Sequence, residues 1–357
     1  MAVTLKDIAE QTGVSPSVVS TVLSGRDNGT FVSDGTRRKV LQVAEMLNYT
    51  PVRAGRPRGS RRLRRQHTEH FIGVWDTDYS PHSAYLVQNL QVALRDYAQQ
   101  QGAEAEDDFG LRLLTSEDLP RLDTLGIMGI VLLSASLLPR EAARATIPCV
   151  MIGDVDNPPR ELVQIHLNND AAGRLLGDYL WGLGHRRIVF LSPAGTPRVT
   201  RLRLGGLQSA WAGQEAAVEL VAHQPYDTVK TLGERDQIRR VILEMFGPGV
   251  SPQGRPTALV CHDENVAAVA MQTLAEIGQR IPQAVSLAGF GDTPRLAEAL
   301  TPSLTVIRQP VAEIAKATIA ALYQMHEPEA AEMAVERDIS LPGRLITRAS
   351  CGSPLSL

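Results

Sequence analysis

Seven arginines fall within residues 53–65 of the stretch PVRAGRPRGSRRLRRQHT, and no acid interrupts them. Guanidinium groups at that density suit a polyanion such as the phosphate backbone of nucleic acid. The run has almost nothing apolar to bury and repels itself, so it reads as a linker rather than a folded element. Charge along the chain agrees. The 357 residues carry a net −3, but residues 1–70 hold twelve Lys/Arg against six Asp/Glu, which leaves −9 on the remaining 287. A basic head on an acidic body implies two tasks.

The other chemistry-bearing patterns exclude more than they offer. His262-Asp263 pairs an imidazole with a carboxylate, yet adjacent side chains diverge and no Ser or Cys stands in a nucleophile elbow. In LAGFGDTP two glycines have dinucleotide-binding spacing, but Pro294 follows them and no GxGxxG links a strand to a helix. No enzyme activity and no cofactor are expected. Cys149, Cys261 and Cys351 form no close pair, which argues against a disulfide framework or a Cys-based metal site and suits a reducing cytoplasm. Neither a secretory leader nor an apolar run of about 18 residues is visible, so no membrane partner is expected. With 43% hydrophobic and 21% charged residues, the chain reads as globular and long enough for two or three domains.

Three short helices can be read before residue 50. Thr4 suits the N-cap of the first, with Asp7 three residues on and Leu5, Ile8 and Ala9 on one face. Gly13 ends it. Ser15 caps a second helix with Pro16 at its first position, where the missing N–H costs nothing. Its apolar stripe is Val18, Val19, Val22 and Leu23. Ser33 caps a third, whose buried face is Val40, Val43, Ala44 and Leu47. Two short helices across a tight Gly-containing turn, with a third packed over them, make a helix-turn-helix.

At this point the residues carry a resemblance. VTLKDIAEQTGVS, the Val-Leu-Ser-Gly after it and VSDGTRRKVLQVAEMLNYTP resemble the DNA-binding head of the LacI/GalR family of bacterial regulators. The resemblance implies that Pro16, Ser17 and Thr21 read base edges in the major groove from a helix capped by Ser15. It also implies phosphate contacts by Thr4, Ser20, Ser33 and Thr36. Thr21 departs from the family, which usually has Arg there, and the loop 24–32 is longer than usual. In the family the linker becomes a short helix on the operator with a leucine wedged into the minor groove, and Leu63 sits where that leucine is expected. The segment from Pro51 to Leu63 is nevertheless longer than the family pattern. Gly55-Arg56-Pro57-Arg58 resembles the core of an AT-hook, which would lay Arg56 and Arg58 along a narrow A·T minor groove. Both readings stay open, beside that of a plain tether.

From residue 71 apolar runs (71–75, 111–114, 130–133, 150–152, 188–191, 258–261, 285–290) alternate with helical stretches (84–101, 171–183, 202–212, 265–277, 311–323). That alternation predicts parallel sheets covered on both faces, in two Rossmann-like halves. IGVWDTDYSP, IPCVMIGD, LGHRRIVFLS, RLRLGGLQSAW, HDENVAAVAMQTLAEIGQRIPQAVSLAGFGDTP and SLTVIRQP resemble the family's periplasmic-binding-protein-like α/β body. The implied organisation is a head over 1–50, an Arg-rich hinge over 51–70 and an effector-binding, dimerising body over 71–350. Lobe 1 would hold 71–165 and 308–325, and lobe 2 would hold 166–307 and 326–350, with crossover strands near 166 and 307.

Ligands of such folds lie outside the carboxyl ends of the strands, here residues 76–79, 134–136, 154, 198–203, 262–263 and 292. The expected effector set is Asp78, Tyr79, Ser134, Asp154, Arg201, Arg203, His262 and Asp292, with Arg201 and Arg203 matching the family's effector-holding arginines. Asp78 and Asp292 could equally cap the helices after them. Two positions depart: Gly291 stands where the family commonly carries a sugar-bonding Asp, and His82-Ser83 replaces a pair of aromatics.

The expected function is that of a cytoplasmic, sequence-specific transcriptional regulator, a repressor controlled by a small-molecule effector such as a sugar. It would act as a homodimer on a palindromic operator, since the tail after Ala349 has no leucine heptads for a coiled coil. The alternatives are an effector that is not a sugar, loss of effector control, or a solute-binding protein or enzyme with a fused head.

Overall fold

The structure, a computed structural model, describes residues 5–24, 32–47, 70–77, 80–101, 109–133, 147–159, 162–193, 197–213, 217–223, 231–251, 253, 255–293, 296–326 and 336–354. The chain forms two units, Met1–Thr68 and Glu69–Leu357.

The first unit holds α1 (Leu5–Thr12), α2 (Pro16–Ser24) and α3 (Asp34–Met46). Gly13, at φ 72°, terminates α1 by donating its N–H to Ala9 O at 2.9 Å. Ser15 precedes Pro16, and its Oγ accepts from Val18 N at 3.4 Å. Ser33 Oγ accepts from Thr36 N at 3.3 Å, so the expected cap of α3 is present. The three helices close over Ile8, Ala9, Val19, Val22, Val40 and Ala44, with Leu5, Val18, Leu23, Val43 and Leu47 against them. These are the stripes that the periodicity predicts.

The second unit is built on two six-stranded sheets. The first contains β1 (His70–Asp76), β2 (Phe109–Leu113), β3 (Ile127–Leu133), β4 (Cys149–Ile152), β5 (Val163–Leu167) and β11 (Asp338–Leu341), in the order β11-β5-β4-β3-β1-β2. The second contains β6 (Arg187–Pro193), β7 (Ala217–His223), β8 (Ala258–Cys261), β9 (Ser286–Phe290), β10 (Thr305–Arg308) and β12 (Arg344–Ile346), in the order β12-β10-β9-β8-β6-β7. All pairings are parallel except β10 with β12, an antiparallel edge that qualifies the expected parallel sheets.

The chain passes between the sheets three times: after β5, after β10 and between β11 and β12. The third passage corrects the expected lobe boundary. Residues 338–341, assigned from sequence to the second lobe, instead pair with β5 in the first sheet, from Asp338 opposite Gln164 to Leu341 opposite Leu167. The reason is that β11 is a short edge strand with alternating exposure, whose place is set by the open side of β5 and not by an apolar signal of its own.

Helices cover the sheets where the apolar faces require it. Helix α4 (Pro81–Gln100) and α10 (Val311–His326) pack together on the first sheet through Leu86, Leu90, Leu94, Ile314, Ile319 and Leu322. On the second sheet, α5 (Asn169–Gly182) and α6 (Pro197–Ala210) cover one face, while α7 (Thr231–Phe246), α8 (Glu264–Glu276) and the short α9 (Leu296–Ala299) cover the other. Helices α5 and α6 touch backbone to backbone. A Cβ on Gly173 would lie 2.2 Å from Arg203 O, and one on Gly206 would lie 2.1 Å from Asp170 O. That contact fixes the first turns of α6 against the start of α5. Among the described residues, no helix is long and apolar enough to cross a membrane.

Candidate functional site

In the head, α2 buries Val19 and Val22 and leaves Ser15 and Pro16 exposed, while Thr21 is half-buried. Ser17 and Ser20 lie on α2, but their side chains fall outside the described residues. Ser33 and Thr36 sit together at the start of α3, their hydroxyls 2.9 Å apart. Arg37, Arg38 and Lys39 follow on exposed positions. Their part in the head's surface was not among the expectations, although the run of three cations was visible. Thr4, Arg56, Arg58 and Leu63 lie outside the described residues, as do Asp78, Tyr79 and Ser134 of the expected effector set.

In the body, the carboxyl ends of β4, β6, β8 and β9 gather the remaining expected residues. Asp154, just after β4, has a side chain only 1% exposed. Arg198 in the first turn of α6 donates to it from Nε, Asn169 Nδ2 donates at 3.3 Å, and His166 Nδ1 lies 3.6 Å away. Two residues on, Asp156 accepts from Arg201 at 2.8 Å. Because β4 belongs to the first sheet and α6 covers the second, these ion pairs tie one lobe to the other. His166 extends the cluster: its Nε2 is 2.7 Å from Asp338 on β11, and its Nδ1 is 2.9 Å from Leu167 O.

Arg201 and Arg203 behave differently. Arg201 is more than half exposed and spans to Asp156. Arg203 is buried and serves the protein itself. It donates from Nε to Asn169 Oδ1 at 2.9 Å and from Nη1 to His262 O at 2.7 Å, and its guanidinium lies 4.2 Å from the centre of the Phe290 ring. Burial pulls its pKa down to about 10, against the pull of the nearby Asp263 and Asp154 carboxylates. His262 places Nδ1 3.0 Å from Ser192 Oγ, which is 2.8 Å from Thr200 Oγ1.

Asp292 neither caps a helix nor stands open. Arg308 Nε donates to it at 2.5 Å, and Arg348 Nη2 lies 3.0 and 3.2 Å from its two oxygens. These two cations hold a non-glycine residue at φ 138°. Asp263, in contrast, is a cap, accepting from Asn265 N and Val266 N at 2.8 Å each. Its carboxylate closes the first turn of α8. Among the described residues no three His, Cys, Asp or Glu converge as a metal site would need.

Sequence reasoning missed His166, Asn169, Asp156 and Ser192. Each acts through a partner distant in the chain, such as Arg201 for Asp156, and no local spacing announces such a pair. Arg198 fell within the expected strand-end range but was not singled out.

With this geometry in view, two family models match the chain. Residues 4–52 match bacterial regulatory proteins of the lacI family, and residues 178–351 match the periplasmic binding protein-like domain. A probable HTH-type transcriptional repressor, ExuR of Bacillus subtilis (strain 168), is 26% identical over 324 residues, covering 87% of this chain and 88% of its own. Two solved structures share the fold, each with TM-score 0.62 and 22% identity. One is a complex of the transcriptional regulator CelR with cellobiose, covering 98% of this chain and 99% of its own. The other is the lac repressor dimer bound to operator and an anti-inducer, covering 99% and 100%. The head, the two-sheet body and the full-length relatives agree: the chain joins a DNA-binding head of the lacI family of bacterial regulatory proteins to a periplasmic binding protein-like domain.

Proposed function

We propose that this protein is a transcriptional repressor that grips a palindromic operator as a homodimer in the cytoplasm and is released or tightened by a sugar-type effector held between its lobes. The observation that carries the reading is the union, in one chain, of a capped three-helix head and a body whose two sheets exchange strands at three passages. A body joined by narrow passages can change the angle between its lobes when a small molecule favours one arrangement. The head supplies the DNA-facing surface: Ser15, Pro16, Ser17 and Thr21 at the groove, with Thr4, Ser20, Ser33 and Thr36 toward phosphates. The hinge adds Arg56, Arg58 and Leu63. Cellobiose in one structural relative, and operator and dimer in the other, support the choice of partners.

On the effector side the geometry refines the candidate set. Asp154 and Arg201 sit at the lobe boundary, where a ligand would rearrange ion pairs. Arg203, His262 and Asp292 hold the floor of the second lobe in shape. The test is selection from random duplexes with the full chain, first alone and then with cellobiose. An enriched inverted repeat whose retention changes with the sugar supports the proposal, whereas a pool without an inverted repeat overturns it.

A further inference from the structure

His166 stands where two of the three passages meet the lobe boundary. It lies on β5, the strand that leads out of the first sheet, and pairs with Ser340 of β11, the strand before the third passage. Val163 and Ile165 of β5 pack into the core beneath α4 and α10, so Gln164 and His166 point to the opposite face. There the His166 side chain is 9% exposed. Its Nε2 is 2.7 Å from Asp338 Oδ1 on β11, and its Nδ1 is 2.9 Å from Leu167 O and 3.6 Å from Asp154 Oδ2.

Each of these neighbours is an acceptor. A carbonyl oxygen and an ionised carboxylate have no proton to give, and a neutral imidazole carries a single N–H. Whichever nitrogen held it, the other would turn a lone pair toward an oxygen less than 3 Å away. All the contacts are satisfied when both nitrogens carry hydrogen, which makes the ring an imidazolium. Asp338 is more than half exposed, and water favours its charged form. The other charges around the ring fit a cation there. Asp154 also accepts from Arg198 of α6 and feels the charge of Arg203, while α5 contributes the amide of Asn169. Arg337, beside Asp338, reaches toward Met325 of α10. Charge therefore alternates through Asp338, His166, Asp154 and Arg198, from the edge of the first sheet to a helix on the second.

We propose that His166 is a proton-dependent clip: as an imidazolium it fastens the edge strand β11, and with it the third passage, to β5 and to Asp154 at the lobe boundary. Strand β11 depends on such a fastening, because none of its four residues is buried and it pairs with β5 alone. When the proton passes to water, one ring nitrogen presents a lone pair to an oxygen, and two carboxylates lose the cation between them. The clip is closed while the ring is charged and opens as the pH rises. Its action needs no bound effector.

The test is amide hydrogen exchange of the full chain at about pH 6 and about pH 8, with the chemical rate of exchange divided out, in the wild type, His166→Gln and Asp338→Asn. Peptides covering β11 report the clip, and peptides covering the central strand β8 serve as reference. In the wild type, protection of β11 should fall about tenfold or more between the two pH values, while that of β8 stays level. His166→Gln keeps a donor for Asp338 but has no proton to lose, so its β11 protection should be the same at both. Asp338→Asn removes the exposed carboxylate, a change the fold tolerates even where glutamine at 166 is not accepted, and should also flatten the dependence. Level β11 protection in the wild type overturns the inference. A fall that persists in either variant assigns the dependence to another group and overturns it too, and a fall shared equally by β8 makes the loosening global, which removes the clip.

Discussion

Arg198, in the first turn of α6, donates through Nε to the buried carboxylate of Asp154, which follows β4 on the other sheet. This pair and the one between Arg201 and Asp156 span the same lobe boundary but differ in burial, and burial sets their worth. Asp154 is 1% exposed and Arg198 29%, whereas Asp156 is 45% and Arg201 59% exposed. Truncating Arg198 leaves a desolvated carboxylate with no direct ion pair from an arginine, held by Asn169 and His166 with the Arg203 charge nearby. Truncating Arg201 exposes a carboxylate that water already reaches.

Arg198→Ala should therefore lower stability by about 3 kcal/mol, the lower end of the cost of breaking a buried pair. Arg201→Ala should cost less than about 1 kcal/mol. Urea unfolding of the two variants checks this, and equal losses would show that the lobe boundary is not organised around Asp154. The same comparison tests the effector assignment. With its structural cost small, any loss of sugar response in Arg201→Ala reports ligand contact.

His185 gives the body a pH dependence of definite sign. Its ring lies between Thr257 Oγ1 at 2.8 Å, Ser286 Oγ at 3.1 Å and Gly352 O at 3.0 Å. Burial lowers its pKa below the ordinary 6.5; the Gly352 carbonyl opposes that shift and Arg186 adds to it. The unfolded chain then takes up the proton more readily than the folded one. Stability should be level above pH 6.5 and fall as the pH drops below it toward the folded-state value. His185→Gln should be less stable at neutral pH, yet show a shallower decline over that interval. A decline as steep as the wild type's would assign the dependence to another group.

The head and the parallel character of the body were legible because their signals are local. Caps at Ser15 and Ser33, the stop at Gly13 and apolar runs such as 258–261 need no partner to be recognised. Helix α7 was passed over because charged residues crowd it, although Ile238, Ile242 and Phe246 repeat at fours and do form its buried face. Strands β11 and β12 were not readable: they are edges of four and three residues with no buried position, and only the open sides of β5 and β10 position them. For the site, spacing found the arginines of α6 but could not divide their labour. Arg203 turns inward because Gly173 and Gly206 bring α5 and α6 into backbone contact, a relationship between residues more than thirty apart.

Thr21 tests base readout. It stands on the second helix of a helix-turn-helix, and a hydroxyl there cannot make the bidentate contact to guanine that an arginine makes. Thr21→Arg should change the base preferred at one symmetric position of each half-site, with discrimination of about 1–3 kcal/mol. Selection from random duplexes with both proteins decides it. An unchanged consensus removes Thr21 from the groove-facing set.

The arginine-rich segment allows two contributions to be separated on one protein. Each arginine that reaches a phosphate releases counterions, so log K falls against log salt with a slope of about −0.9 per contact. That term is blind to sequence. Leu63 carries no charge and cannot enter it; an apolar wedge acts by unstacking a base step and bending the duplex, at a place the operator must provide. The double variant Arg61→Ala with Arg62→Ala should therefore flatten the salt dependence on operator and on random DNA alike, by up to about 1.8 in slope if both residues reach phosphates. Leu63→Ala should weaken operator binding while leaving the salt slope and the affinity for random DNA where they were. Both follow from titrating labelled duplexes at several salt concentrations. If Leu63→Ala binds the operator as the wild type does, the wedge is absent, and the Gly55–Arg58 segment, with Arg56 and Arg58, becomes the better candidate for the minor groove.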